Sequence, residues 1–123
     1  VVQEPLVSNG LDLLPTLCDY AGITPPPELK GRSVRSLAGG NVPDDWRNEL
    51  LIQVSPGMGE GRCVHTGRYK YTSYQAGTPS EELYDLQEDP GELQNLHDHP
   101  EYESVRQDCR ERLERLRAYH NDQ

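Results

Sequence analysis

The 123-residue chain has little of what usually fills a protein core: no phenylalanine, one tryptophan and one methionine. No apolar run reaches the length of a membrane-spanning helix, and no signal-peptide pattern opens the chain. The length fits one domain. We therefore expect a core built mainly from leucine and the seven tyrosines.

Basic residues are also scarce, with 12 lysines and arginines against 21 acidic residues and a formal net charge of −9. An acidic protein repels the phosphates of nucleic acids and the surface of acidic membranes. We therefore expect no nucleic acid and no membrane as a partner of this chain.

The three cysteines, Cys18, Cys63 and Cys109, lie far apart. No C-x-x-C pair occurs, which excludes zinc-ribbon and thioredoxin-type motifs. Free cysteines usually behave as small buried hydrophobic residues. We predict three buried thiols, and one disulfide stays an alternative for an oxidising compartment.

Hydrophobic periodicity predicts helices at both ends of the chain and strands between them. The last helix has one apolar stripe, and we expect Tyr69, Tyr71, Tyr84, Leu86 and Leu96 to pack beneath it. This order predicts an α+β fold, with a small antiparallel sheet of about four strands and the C-terminal helix on one face. The predicted elements are a helix over 9–21, a strand over 50–54, a hairpin over 62–74, a strand over 82–86 and a helix over 101–119.

Three polar motifs are compared with known ligand sites. The His97–His99 stretch has no third metal ligand at a short spacing. The acids Asp85, Asp89 and Glu92 do not match the calcium loop of an EF-hand. The glycines within 57–61 precede a strand, whereas a phosphate-binding loop opens a helix. We therefore predict no metal site in this chain.

A cluster of basic and titratable residues, Arg62, His65, Arg68 and Lys70, falls on the predicted hairpin. Two interpretations stay open: a solvated sheet face balanced by nearby acids, or a rim that meets an anion. The neighbouring Cys63 has no orienting group that would mark it as a nucleophile. No catalytic residue is predicted.

Four blocks of sequence occur in an order typical of one enzyme family. Residues 11–23 contain D-L-x-P-T-L-x-x-x-A-G-I, 66–71 match T-x-R-Y-K-Y, and 82–96 match E-L-Y-D-L-x-x-D-P-x-E-x-x-N-L, while 31–34 resemble G-x-S-L with Val34 in place of the leucine. Together they cover nearly the whole chain. In this order they resemble the C-terminal part of sulfatases of the alkaline-phosphatase-like superfamily, similar to heparan N-sulfatase-like and arylsulfatase-like enzymes.

The resemblance implies a hydrolase of sulfate esters or sulfamates. Such enzymes use a formylglycine, made within a C/S-x-P-x-R motif, beside a divalent cation that is usually calcium. No such motif occurs here. The resemblance therefore implies that the calcium, the formylglycine and the rest of the catalytic core lie outside this chain, and that the chain alone is inactive.

The resemblance also implies a division of the chain and its partners. Residues 1–40 would be the tail of the catalytic domain, and residues 41–123 the C-terminal subdomain. The expected partners are the missing catalytic domain and a sulfated small molecule or glycan. Because a sulfated sugar is an anion, Arg62 and His65, with the loop over 55–61, are candidate substrate-binding residues. Export or a lysosomal location is common for complete sulfatases, and the location of this chain stays open.

The alternative function is a stand-alone interaction or glycan-binding module derived from the same subdomain. The two hypotheses differ in the surface of the helix over 9–21. A piece that docks on a catalytic domain should expose a large apolar patch there, including the face of residues 11–17. An independent module should carry polar residues at these positions.

Overall fold

A computed structural model describes residues 4–54, 60–75 and 80–122. The chain divides into two compact units, Val1–Asn48 and Glu49–Gln123. The assignment of residues 1–40 to a catalytic domain and of 41–123 to a C-terminal subdomain stays a prediction. No helix in the described ranges is long and apolar enough to cross a membrane.

The first unit contains helix α1 (Asn9–Ala21) and the short helix α2 (Arg35–Ala38). Helix α1 has the predicted bounds. It begins after Ser8, whose carbonyl accepts the N–H of Asp12 at 2.8 Å. It ends at Gly22, which adopts a left-handed conformation with φ of 69°. Glycine adopts this conformation at little energetic cost because it has no Cβ.

Pro15 lies inside α1 and changes its hydrogen bonding. Because proline has no N–H, the carbonyl of Leu11 loses its usual helical partner. The chain returns to this carbonyl at Gly31, where an added Cβ would lie 1.7 Å from the Leu11 oxygen. Only glycine fits this contact.

The second unit is an antiparallel sheet with the order β1-β2-β3-β4 and one long helix, as predicted. The neighbouring strands align Leu51 with Val64, Val64 with Tyr71, and Tyr71 with Leu83. The strands are β1 (Leu50–Val54), β2 (Gly61–His65), β3 (Tyr69–Tyr74) and β4 (Glu81–Asp85); a 3₁₀ turn (Pro100–Tyr102) then leads into helix α3 (Glu103–His120).

The core lies between one face of the sheet and α3. The predicted apolar stripe of the last helix is confirmed, because it supplies the helical side of the core. Two expectations are wrong: Leu83, not Tyr84, packs in the core, and Leu86 is not among the described residues that pack there. Tyr84 pairs with Lys70 in the register and so faces the other side of the sheet. The buried cluster is Val64, Tyr71, Leu83, Leu96, Cys109 and Leu113, with Leu51, Tyr69, Tyr102, Val105 and Leu116 packed against it.

Replacement of Gly31 by alanine tests the close contact with Leu11. The new Cβ would clash with a backbone oxygen that cannot rotate away, so we expect Gly31→Ala to lower the free energy of unfolding by about 3 kcal/mol. Urea denaturation followed by circular dichroism measures this loss. Gly39→Ala is the matched control, because an added Cβ there has its nearest atom at 3.5 Å. Equal stability of the two variants would contradict the contact.

Candidate functional site

The buried carboxylate of Asp12 is the centre of the first unit. Its side chain is 1% exposed. It accepts the backbone N–H of Ser8 at 2.9 Å and of Arg32 at 2.8 Å. Arg47 donates to both of its oxygens, with 2.7 Å for the Nη2–Oδ1 bond. One side chain thus joins the start of α1 to two later segments.

These contacts set the charge of Asp12. Burial alone would raise its pKa, but the hydrogen bonds from Arg47, Arg32 and Ser8 outweigh burial and hold the pKa below its ordinary value. The carboxylate therefore stays ionised at neutral pH. Local sequence patterns do not reveal Arg32 and Arg47 as its partners, because these residues lie 20 and 35 positions away.

The polar face of α1 is turned towards its own unit. Besides Asp12, the hydroxyl oxygen of Thr16 accepts the N–H of Val34 at 3.0 Å. The carboxylate of Asp19 accepts the hydroxyl of Ser33 at 2.6 Å and a guanidinium N–H of Arg35 at 3.1 Å. The residues that usually face solvent on a surface helix are therefore satisfied internally.

The apolar face of α1 is exposed instead. Leu13 is 60%, Leu17 is 56% and Tyr20 is 61% exposed, and Leu14 lies beside them. Positions 13, 17 and 20 follow helical spacing and form one stripe. This is the patch that was predicted for a chain that docks on a further domain, and it is unusual on a monomeric surface.

The candidate residue Arg62 lies on β2, on the face that carries α3. Its guanidinium donates two hydrogen bonds to Asp122, one of them at 2.8 Å, and lies 3.7 Å from Glu60. The hydrogen bonds to Asp122 raise the pKa of Arg62 further. This pair fastens the end of α3 to the sheet across 60 residues of sequence.

The candidate residue His65 lies on the opposite face of the same sheet, since it is three positions from Arg62. Its Nδ1 accepts the N–H of Gly67 at 2.9 Å, so a neutral ring carries its proton on Nε2. Burial, and then the charge of Lys70, lower the pKa of His65 below its ordinary value. His65 is therefore a neutral hydrogen-bond donor at neutral pH.

His65 is the end of a short polar row on this face. It pairs across the strands with Lys70, which pairs with Tyr84. The Lys70 ammonium donates to both carboxylate oxygens of Glu92, at 2.7 and 3.0 Å. Glu92 has a left-handed backbone with φ of 53°, a conformation that is rare for this residue type. The structure does not bring Arg62 and His65 into one site, and their role in substrate binding stays a prediction.

The other motifs have structural partners. His97 contacts Asp98 at 3.0 Å, and His99 contacts Glu101 at 3.3 Å. Within the described ranges, no group of three or more metal-ligating side chains is close enough to hold an ion. The predicted loop over 55–61 falls mostly at 55–59, outside the described residues.

The thiols are free and buried, as predicted. Burial raises the pKa of Cys63, and it raises the pKa of Cys109 to about 11. Both groups are therefore neutral thiols at physiological pH, and neither is a reactive thiolate.

Comparisons with known proteins agree on one family. The family model "N-sulphoglucosamine sulphohydrolase, C-terminal" matches residues 1–119. The chain is 41% identical over 112 residues to a Delta 4,5-hexuronate-2-O-sulfatase of Bacteroides thetaiotaomicron. The alignment covers 85% of this chain and 22% of that protein. It is also 31% identical over 104 residues to Arylsulfatase K of Mus musculus. That alignment covers 77% of this chain and 19% of Arylsulfatase K. A solved 2-O GAG sulfatase matches with a TM-score of 0.86 at 36% identity, over 98% of this chain and 27% of that structure.

The four-stranded sheet with its helix, preceded by a helical unit, is thus a fold that sulfatases contain. The chain belongs to the sulfatase family, in the alkaline-phosphatase-like superfamily, and corresponds to its C-terminal domain. It spans about a fifth of the length of these curated relatives.

The Asp12 contacts predict how stability depends on pH. Because its pKa is lowered in the folded state, Asp12 stabilises the fold above its ordinary pKa of 3.8, and this contribution is lost as pH falls through the folded value. We expect Asp12→Asn to cost about 3 kcal/mol at pH 7 and less at a second pH below 3.8, where the unfolded state binds a proton more readily than the folded state. Urea denaturation across this range measures both values. Asp45→Asn, at an exposed partner of Arg32, is the control and should change little. An equal cost of Asp12→Asn at both pH values would contradict the prediction.

Proposed function

We propose that this chain is the C-terminal portion of a sulfatase that hydrolyses sulfate esters or sulfamates of glycans. In this role it supports the catalytic part and contributes to the rim of the substrate site. Family membership supports the reaction class, and relatives named for hexuronate 2-O-sulfate and for glycosaminoglycan substrates support a sulfated sugar. The chain alone is expected to be inactive.

The observation that carries this proposal is the exposed apolar face of α1. Its polar residues are already bonded within the first unit, so the helix cannot bury Leu13, Leu14, Leu17 and Tyr20 by rotating. Burial of such side chains contributes about 1.5–3 kcal/mol each. On this proposal the catalytic part covers them, and the relatives have most of their length outside the part that this chain matches.

The calcium ion and the formylglycine belong, on this proposal, to the catalytic part. The residues of this chain do not fit them, because the C/S-x-P-x-R motif is absent. The acids Asp85, Asp89 and Glu92 also have separate partners: Arg68, the N–H of Gln94, and Lys70. No step of the reaction is assigned to these residues.

For the substrate rim, His65 is the stronger of the two candidates. Its neutral ring offers an Nε2–H donor, which suits a sulfated or carboxylated sugar, while the neighbouring Lys70 ammonium is already held by Glu92. Arg62 would have to leave Asp122 before it could bind an anion. The stand-alone binding module is the weaker alternative, because the α1 face lacks the polar residues that it requires.

A chimera tests the docking surface. In it, this chain replaces the matching part of the Bacteroides hexuronate sulfatase, and turnover of that enzyme's substrate is measured. We expect Leu13→Ser with Leu17→Ser to reduce turnover at least about tenfold, since two buried side chains would be lost to the interface. The same changes should reduce aggregation of the isolated chain.

Leu93→Ser is the matched control for this experiment, because Leu93 is 90% exposed and lies outside α1. It should leave turnover unchanged. Full activity of the Leu13, Leu17 double variant would contradict docking through α1, and sulfatase activity of the isolated chain would overturn the proposed division of labour.

The same chimera tests the rim. His65→Ala removes one hydrogen bond, so we expect KM to rise about five- to tenfold while kcat changes little. His99→Ala is the control, since His99 lies outside the polar row and contacts Glu101. Arg62→Ala should instead lower thermal stability by releasing the end of α3. An unchanged KM for His65→Ala would remove His65 from the substrate site.

A further inference from the structure

The two edges of the sheet differ in how their backbone groups are paired. Across the β2–β3 turn, Thr66 donates its N–H to the carbonyl of Tyr69. Backbone groups in an antiparallel ladder point alternately to the two sides. Hence the backbone N–H and C=O groups of Arg62 and Val64 point towards β3. Those of Gly61, Cys63 and His65 point towards β1.

The register extends this alternation to both outer strands. In β1, Leu50, Ile52 and Val54 pair with the three residues that bond towards them, so Leu51 and Gln53 direct their N–H and C=O groups outward. In β4, the same alternation means that the backbone N–H and C=O groups of Glu81, Leu83 and Asp85 point outward, away from β3.

The outer edge of β4 is closed by the chain itself. The side chain of Asn95 accepts the N–H of Leu83 at 3.0 Å, and the carbonyl of Leu83 accepts the N–H of Leu96 at 2.8 Å. The carbonyl of Asp85 accepts the N–H of Asp89 at 2.7 Å. These residues act as a short substitute strand, so no further strand can pair there.

Within the second unit, no described segment covers the outer edge of β1 in this way. Among the described residues, no hydrogen bond reaches the outward groups of Leu51 and Gln53. The strand has none of the usual protections of an exposed edge, since Leu50–Val54 contains no charge, proline or bulge. The preceding Glu49 is engaged by Arg112 and Arg115 of α3 and does not guard the edge.

We propose that the free edge of β1 accepts an extended segment of the sulfatase catalytic part as a fifth strand. This inference rests on the proposed function. The occupant follows from length: the relatives carry roughly four-fifths of their chain beyond the part matched here. The pairing would be a second attachment, independent of the α1 face, and made by backbone hydrogen bonds.

Hydrogen exchange at Leu51 and Gln53 tests this pairing directly. The isolated chain is compared with a polypeptide in which a sulfatase catalytic part precedes residue 1. We expect both amides to exchange at least about a hundredfold more slowly in the longer polypeptide, because they gain acceptors. The amide of Leu83, already bonded to Asn95, is the internal control and should be protected in both.

A proline at position 53 provides the second measurement. Gln53→Pro removes one outward N–H, which an unpaired edge tolerates. We expect the melting temperature to fall by several degrees in the longer polypeptide and to change little in the isolated chain. Gln53→Ala keeps the N–H while removing the side chain, and it should be neutral in both.

Three outcomes would overturn the proposal. Equal exchange of Leu51 and Gln53 in both settings would mean that the edge stays unpaired. Protection in the isolated chain that grows with protein concentration would identify a second copy as the occupant. An equal change in melting temperature on Gln53→Pro in the isolated chain and in the longer polypeptide would show that the N–H of residue 53 makes no hydrogen bond to a fifth strand. Sulfatase turnover of the longer polypeptide is recorded separately, so failure of the proposed function is distinguished from failure of the pairing.

Discussion

The ion pair between Asp12 and Arg47 is the interaction on which the first unit depends. That unit has little apolar interior, because most large hydrophobic side chains of α1 are exposed. A buried carboxylate that accepts two backbone N–H groups and a guanidinium replaces a core as the organising element. It also fixes which face of α1 points outward. The order of this unit and the exposure of the apolar face of α1 therefore have the same physical origin.

The second unit is organised in the ordinary way, around one apolar interface. For this reason its fold could be predicted well from sequence. Period-2 strands, turn residues and one apolar helical stripe are local signals, and they led to the correct sheet and helix. The exchange of Tyr84 for Leu83 in the core arose because the face of a strand depends on register, which the turns decide.

The candidate site could be predicted less well, for a different reason. Arg62 and His65 are close in sequence, and their charge suggested one rim. An odd separation along a strand places them on opposite faces, and Arg62 is paired with Asp122, 60 residues later. The partners of Asp12 are distant in the same way. Long-range pairing of charges leaves no periodic signal, so sequence patterns do not reveal that Arg32 and Arg47 bind Asp12.

The outward-facing leucines of α1 have a consequence for biosynthesis. On the proposed function, in which this chain is the C-terminal portion of a sulfatase, the ribosome would complete the catalytic part before this helix emerges. The polar contacts of Asp12 involve residues up to 47, so α1 would acquire its final orientation only after those residues leave the exit tunnel. Until then its leucines would be available to chaperones, and on the proposed function a completed catalytic part would already be present to cover them afterwards. Vectorial synthesis would thus limit the time for which this apolar face is exposed in the cell.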